Sequence, residues 1–357
     1  MNNDIETLKQ EAIVLLQDLI KLSSFSKEEW QTASEITRFL AAKGIQVTRA
    51  GNNVLALNQF YDAAKPTILL NSHHDTVKPN SNYTRDPFQP ALEDGKLYGL
   101  GSNDAGGCLV SLMMTFLYFH SMKGLKFNLA YAATAEEEIS GTGGIENALS
   151  FLPPIDCALV GEPTLMQMAI AEKGLIVLDC VAKGKAGHAA RNEGENAIYL
   201  ALKDIEWIRN FQFEKISDLL GPVKLSVTVI ETDNKAHNVV PAQCRFVIDA
   251  RINELYSLEE VVDVIKRNII SEVTPRSLRI RSSSISLQHP LVQSGLASGL
   301  TFYGSPTTSD KALMPFPALK IGPGDSARSH MADEFIFVEE IKTGIDLYIE
   351  LLKKVIL

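Results

Sequence analysis

No long uninterrupted apolar segment occurs in the 357 residues, so the sequence predicts neither a membrane-spanning helix nor a cleaved leader. The four cysteines are scattered and form no C-x-x-C pair, which argues against a disulfide framework or a thiolate metal site. Basic residues are fewer than acidic ones, with 34 Lys and Arg against 43 Asp and Glu, and the formal net charge is −9. That balance disfavours nucleic acid or an anionic membrane as a partner. We expect a cytoplasmic protein with a small, soluble ligand.

The chain exceeds the roughly 250 to 300 residues at which one hydrophobic core stops growing, so we expect two domains. Between residues 66 and 160, short apolar runs alternate with a helix-like stretch, which is typical of an α/β sheet. From about residue 173 the order becomes β-α-β-β-α-β, as in a ferredoxin-like domain. We predict an α/β first domain formed by residues 1–172 and 288–357, with a second domain of residues 173–287 inserted into it.

Polar side chains follow the apolar strand TILLNS of the first domain. Ligands bind outside the carboxyl ends of strands in open α/β sheets, so residues at such positions are candidates for a site. His73 and Asp75 are two apart and can point the same way in an extended segment, with Asp75 orienting an imidazole that binds a metal. Taken alone, this motif is better explained as an ordinary polar loop.

The segment YGLGSNDAGG, residues 98–107, resembles a dinucleotide-binding loop at first sight. The G-x-G-x-x-G pattern requires glycine where Asp104 stands, and an aspartate there would repel a pyrophosphate. Asp104 lies where a helix is predicted to begin, so by itself it is best interpreted as the N-cap of that helix.

Further carboxylates and a histidine follow other predicted strands or lie in loops. Glu136, Glu137 and Glu138 follow the strand FNLAYAAT, where three adjacent carboxylates require either solvent or a cation. Glu162 ends another apolar strand, and His330 lies in a loop near the end of the chain. Each has an ordinary explanation, such as a solvated acidic turn.

Together these residues make a different prediction. His73, Asp104, Glu138, Glu162 and His330 supply two imidazoles and three carboxylates, which suits two zinc ions that activate water and polarise a carbonyl. One carboxylate has to bridge the ions, and another has to stay unbound as a general base. The adjacent pair Glu137 and Glu138 could divide the roles of base and ligand.

Five ordered motifs over nearly the whole chain resemble the zinc aminoacylase, acetylornithine deacetylase and succinyl-diaminopimelate desuccinylase family, which also contains dipeptidases and carboxypeptidases. The matching segments are H-x-D-x-V at 73–77, G-x-G-x-x-D at 99–104, the acidic pair at 137–138, G-E-P-T at 161–164, and the late histidine at 330. The resemblance implies a catalytic domain with a mixed sheet flanked by helices and an inserted ferredoxin-like lid, which forms the dimer interface.

The resemblance also implies a role for each motif residue. His73 and Glu162 would bind one zinc ion, Glu138 and His330 the other, and Asp104 would bridge them. Glu137 would be the general base and Asp75 the carboxylate behind His73. We therefore expect two zinc ions per chain, with cobalt able to replace them.

Four further residues are implied to contact the substrate. His188 resembles a lid histidine that reaches the partner subunit's site and stabilises an oxyanion. Asn238 and Arg251 resemble residues that hold the substrate, although an ordinary salt bridge on a strand explains Arg251 equally well. Thr308 lies where the desuccinylase branch contacts its substrate. A homodimer formed through the lid is the expected assembly.

The sequence departs from the family in two places. The bridging aspartate is often followed by x-K-G-G, but here Ala105, Gly106 and Gly107 follow it and the lysine is missing, and Glu136 stands where an aspartate often precedes the acidic pair. These differences affect the expected substrate more than catalysis. We expect hydrolysis of an N-acetyl- or N-succinyl- ornithine or citrulline in arginine biosynthesis. The alternatives are a dipeptidase or carboxypeptidase, or a succinyl-diaminopimelate desuccinylase. A binding protein that kept the fold is disfavoured because it has no need of Glu137 in addition to a full ligand set.

Overall fold

The computed structural model describes residues 4–191, 193–232 and 234–357, which form two compact units. The first contains the chain up to Ile170 together with Ser284–Tyr303 and Ser309–Leu357, and the second contains Ala171–Ser283 and Gly304–Thr308. Residues 304–308 contact the rest of the second unit, where Lys173 donates its N–H to the carbonyl of Ser305 over 3.2 Å. The assignment of domains at residues 172 and 287 stays a prediction.

The helices are α1 (Ile5–Ile20), α2 (Trp30–Ala42), α3 (Gly107–His120), α4 (Ile145–Leu149), α5 (Ala197–Asn210), α6 (Leu258–Asn268), α7 (Pro290–Ala297) and α8 (Val338–Ile356). The strands are β1 (Val47–Ala50), β2 (Asn53–Leu57), β3 (Thr67–His73), β4 (Ala91–Glu93), β5 (Lys96–Tyr98), β6 (Asn128–Thr134), β7 (Cys157–Val160), β8 (Met168–Glu172), β9 (Gly174–Lys183), β10 (Gly187–His188), β11 (Lys224–Glu231), β12 (Val239–Val240), β13 (Gln243–Ile252), β14 (Glu272–Pro275), β15 (Ser283–Ser284), β16 (Phe302–Ser305), β17 (Ala318–Lys320) and β18 (Phe335–Phe337).

A nine-stranded mixed sheet, in the order β1-β2-β6-β3-β7-β17-β8-β15 with β16 beside β8, organises the first unit. Strand β3 runs parallel to β6 and β7, whereas β2 runs antiparallel to β6. Every residue of β3 and β6 is buried, because both faces of these strands are covered. Polar residues at the ends of the central strands are therefore held by a rigid framework.

Two apolar layers cover that sheet. One layer contains α1, α3 and α8, with core side chains such as Leu16, Phe116 and Ile345. The other contains α4, whose Ile145 and Ala148 pack with residues of the sheet. Helix α3 is apolar all round and buried along nearly its whole length, as its sequence GCLVSLMMTFLYFH predicts.

The second unit contains β9, α5, β11, β13, α6 and β14 in that order, with the two-residue strands β10 and β12 between them, and its four-stranded antiparallel sheet has the order β11-β13-β9-β14. The β-α-β-β-α-β order is the predicted one, but the last strand is Glu272–Pro275, whereas the sequence pattern predicts it in the segment LRIRSSSISL, residues 278–287. Its strand β9 alternates buried and half-buried residues, which is typical of a sheet with one face covered by helices. The predicted α/β fold class is confirmed. Of the helices in the described parts of the chain, none combines the length and the apolar character that crossing a membrane requires.

Candidate metal centre

His73 is the last residue of β3 and is buried where that strand ends. Its Nδ1 lies 3.0 Å from the backbone oxygen of Asp75 and 3.5 Å from Oδ1 of the same residue. Nδ1–H therefore donates to Asp75, which leaves the lone pair of Nε2 facing outward from the strand end. That nitrogen lies 3.2 Å from Asp104 Oδ1 and 3.9 Å from Glu162 Oε1.

Asp104 lies between the two histidines of the site. Its Oδ1 is the oxygen near His73, and its Oδ2 lies 3.7 Å from His330 Nε2. The interpretation of Asp104 as a helix N-cap is wrong, because α3 begins at Gly107, its N-cap is Gly106, and Asp104 has the non-helical dihedral angles φ −118° and ψ 100°. The extended backbone turns the carboxylate towards the histidines instead.

The acidic turn after β6 contributes two carboxylates with different neighbours. Glu137 Oε2 lies 3.9 Å from His73 Nε2, whereas Glu138 Oε2 lies 3.0 Å from His330 Nε2. The backbone N–H groups of both residues donate to the carboxylate of Asp75, over 3.0 and 3.1 Å. Asp75 thus orients the imidazole of His73 and also the turn that carries the acidic pair.

The electrostatics show how crowded these carboxylates are. Burial, followed by the neighbouring carboxylate of Asp104, raises the pKa of Glu162 to about 8 despite the opposing effect of His73. Burial also raises the pKa of Glu137 well above its usual value. The hydrogen bond between His330 and Glu138 raises the pKa of His330 to about 9. A bound cation would offset the repulsion among these carboxylates and favour their ionised form.

Among the residues that the structure describes, two sets of side chains could hold a metal ion, since in each the ligand atoms lie within 4.8 Å of one another. The first set is His73, Asp104 and Glu138, and the second is His73, Glu137 and Glu162. Imidazole nitrogen and carboxylate oxygen are suitable ligands for zinc and similar divalent ions. The donor chemistry of the cluster therefore fits a metal centre.

The substrate-contacting residues expected from the sequence belong to the second unit. Strands β10 and β12 pair His188 with Val239, and the carbonyl of Asn238 accepts the N–H of Ala189 over 3.0 Å. Arg251 donates two hydrogen bonds to the carboxylate of Asp249, as the salt-bridge alternative requires. Thr308 is half-buried in the segment 304–308. A role in substrate binding stays a prediction for all four.

Several residues that support the site carry no recognisable signal in the sequence. Ser26 donates to Asp75 over 2.7 Å, and the buried carboxylate of Glu334 accepts the N–H groups of Gly101, Asn103 and Asp104 over 2.8–2.9 Å. The partners are distant in the chain, so neither spacing nor periodicity could indicate these contacts. The only available signal is that Glu334 follows the motif of the late histidine.

Comparison with known proteins decides which family this site belongs to. The model of the peptidase family M20/M25/M40 matches residues 69–354. The chain belongs to that family. Membership of family M20/M25/M40 makes the protein a metal-dependent hydrolase of amide bonds, and the resemblance seen in the five sequence motifs is confirmed.

Individual members of the family are similar over almost the whole chain. A succinyl-diaminopimelate desuccinylase from Cereibacter sphaeroides is 24% identical, over 96% of this chain and 98% of its own. A tripeptidase from Staphylococcus aureus superimposes with a TM-score of 0.78 at 19% identity, covering 97% of this chain and 98% of that one. For a dinuclear metal-binding peptidase of the M20 family from Bacillus subtilis the TM-score is 0.73 at 15% identity, covering 97% and 98%.

These comparisons support the family more than the expected branch. The curated relative from Cereibacter sphaeroides is a desuccinylase, so its name lends no support to an acetylornithine deacetylase or to a role in arginine biosynthesis. The likenesses to the solved structures show the shared fold.

Proposed function

We propose that the protein hydrolyses the amide bond of an N-succinyl amino acid. The observation that carries this proposal is the cluster around His73, in which four carboxylates and two histidines converge. Five of these six side chains are the ligands expected for two metal ions. The sixth, a carboxylate, can serve as a base. The succinyl group is favoured because the curated relative is a succinyl-diaminopimelate desuccinylase.

In this proposal His73 and Glu162 would hold one zinc ion, Glu138 and His330 would hold a second, and Asp104 would be a ligand shared by both. The different neighbours of the two Asp104 oxygens support the bridging role, since Oδ1 lies near His73 and Oδ2 near His330. Zinc ions held there would supply Lewis-acid polarisation of the scissile carbonyl and would lower the pKa of a nearby water molecule.

Glu137 is the proposed general base. It accepts a proton from the attacking water and passes that proton to the departing amine, so no covalent acyl-enzyme is needed. The cluster can fix its position, because Asp75 accepts the N–H of Glu137 and also orients His73. Asp75 acts in this scheme by positioning other groups.

A succinyl group adds a carboxylate that requires a cation in the binding site. Two arginines lie beside motif histidines in the sequence and are candidates: Arg191 in GHAAR, after His188, and Arg328 in GPGDSARSH, before His330. Arg328 donates two hydrogen bonds to Glu340, over 2.9 and 2.6 Å, and is therefore already occupied. Arg191 is exposed, so we propose that it contacts the succinyl tail. Arg251 and Asn238 would hold the α-carboxylate. His188 would contact the carbonyl oxygen, and Thr308 would also contact the substrate.

We also propose a homodimer formed through the second unit. Strand β11 is an edge strand of its sheet, and Val229 and Ile230 on that strand are 46% and 52% exposed. An edge strand with apolar side chains can pair with its twin across a two-fold axis. In such a dimer His188 would serve the site of the partner subunit.

A second candidate is a dipeptidase or carboxypeptidase, because the similar solved structures include a tripeptidase and a metal-binding peptidase. A panel of substrates distinguishes the two. It contains the N-succinyl and N-acetyl forms of ornithine, citrulline and diaminopimelate together with several dipeptides. We expect the highest kcat/KM for a succinyl compound, and a loss of that preference in Arg191→Ala. Turnover of dipeptides alone would select the peptidase.

A further inference from the structure

The backbone of the acidic turn is fixed at three consecutive residues by two buried carboxylates. Asp75 accepts the N–H groups of Glu137 and Glu138, and Glu29 accepts the N–H of Glu136 over 3.2 Å. Glu29 belongs to the segment before α2, which is more than one hundred residues away in the chain. A residue from the amino-terminal region therefore contacts the backbone at the start of this turn.

Glu29 is fully buried, and hydrogen bonds engage both of its carboxylate oxygens. Oε1 also accepts the N–H of Lys27 over 2.6 Å, and Oε2 accepts the side-chain amide of Asn52 over 2.8 Å. The backbone carbonyl of Glu29 accepts the hydroxyl of Thr32 and the N–H of Ala33, each over 3.0 Å. The carboxylate consequently has a single well-defined position.

The residue that Glu29 holds has a demanding backbone conformation. Glu136 has φ 55°, in the left-handed region that side chains other than glycine rarely adopt. Its own carboxylate occupies the space beside Gly141 and Gly143, where a Cβ atom would come within 2.0 and 2.3 Å of it. Such a conformation persists only where surrounding contacts maintain it, and the hydrogen bond from Glu136 to Glu29 is one of them.

We propose that Glu29 is a positioning residue, which acts through the backbone of Glu136 to direct Glu137 and Glu138 into the metal centre. The inference rests on the proposed function, in which Glu137 is the base and Glu138 a ligand. A small displacement of either carboxylate would impair catalysis, because proton transfer and metal binding both depend on the placement of the atoms involved.

The test uses three variants of the contact between Glu29 and Asn52 and one control variant. Glu29→Gln keeps the size of the side chain but sets its amide donor against the donor of Asn52 or against the N–H groups of Lys27 and Glu136. Asn52→Asp sets two carboxylates against each other. The double variant restores one donor and one acceptor at that contact. Glu28→Gln, on the exposed neighbouring residue, is the matched control.

We expect metal-loaded Glu29→Gln to lose about tenfold to a hundredfold in kcat with little change in KM. Cobalt titration of the metal-free variant, followed by visible absorption, should show weaker binding at the site that contains Glu138. The double variant should recover most of both properties, and Glu28→Gln should match the wild type. If Glu29→Gln does not fold, the double variant decides, and recovery there supports the inference.

Three results would overturn the proposal: an unchanged kcat and cobalt affinity in folded Glu29→Gln, a lower Tm alone with both properties intact, or a folded double variant without recovery. A wild-type protein that hydrolyses no N-acyl amino acid would contradict the proposed function instead. The cobalt titration would still test the influence of Glu29 on Glu138 in that case.

Discussion

Glu137 and Glu138 are adjacent in the chain, but their side chains have different neighbours. Glu138 contacts His330 at 3.0 Å, whereas Glu137 lies 3.9 Å from His73 and has a pKa raised by burial. A ligand and a base respond differently to loss of charge. The amide of glutamine keeps the shape of the side chain but removes the proton acceptor and weakens metal binding.

We therefore predict that Glu137→Gln keeps its metal and loses about 10²- to 10⁴-fold in kcat. Glu138→Gln should lose metal as well as activity. Metal analysis of both purified variants beside their kcat values makes the comparison. Equal metal loss in the two would show that the roles of this pair are assigned wrongly. Glu137 would then be a metal ligand, as in the set His73, Glu137 and Glu162.

At the scale of secondary-structure elements, the loop that carries His330 is attached to the first turn of α8. Arg328 is buried, donates two hydrogen bonds to Glu340 of that helix, and lies over the ring of Phe335, 5.1 Å from its centroid. Removing one partner of a buried pair leaves the other charge without compensation.

Arg328→Ala should lower the free energy of unfolding by about 2 kcal/mol, as measured by urea denaturation. The exposed residue Arg267, whose side chain lies 3.9 Å from Asp263, is the control, and Arg267→Ala should change stability by less than about 0.5 kcal/mol. The ratio of succinyl to acetyl turnover should stay constant in Arg328→Ala. A selective loss of succinyl turnover would mean that Arg328 leaves Glu340 to bind the substrate.

Elements of the site differ in how far the sequence predicts them. His73 and Glu162 were predictable because each ends or follows an apolar strand, and such strand ends meet at one edge of a sheet. The β-α-β-β-α-β order of the second unit was predictable from hydrophobic periodicity. Glu29 and Ser26 were not, because an acidic residue and a serine before a helix have the ordinary explanation of a helix start.

Asp104 shows why a local pattern can mislead. Its position before an apolar helix predicts a cap, but the helix begins three residues later, and its carboxylate lies beside two histidines from distant parts of the chain. Only the ordered combination of motifs, matched to a family, indicates the metal-binding role that we propose for it. Long-range contacts of this kind are absent from any local window of sequence.

At the scale of the whole molecule, the proposed dimer makes each site depend on two chains. Glu137→Gln and His188→Ala should each be nearly inactive alone. If His188 acts in the partner's site, mixed dimers of the two variants contain one intact site, and random exchange restores roughly one site in four. Activity should return on mixing and unfolding–refolding together. No recovery in verified mixed dimers, or a fully active monomer in dilute solution, would contradict the shared site.

The central claim is that hydrolysis depends on metal held by the cluster around His73. Metal analysis combined with a chelation assay tests it most directly, using the succinyl substrate that the panel shows to be best. Purified protein should contain about two zinc ions per chain, lose its activity when a chelator removes them, and regain it with zinc or cobalt. Full activity in protein shown to be free of metal would contradict the account.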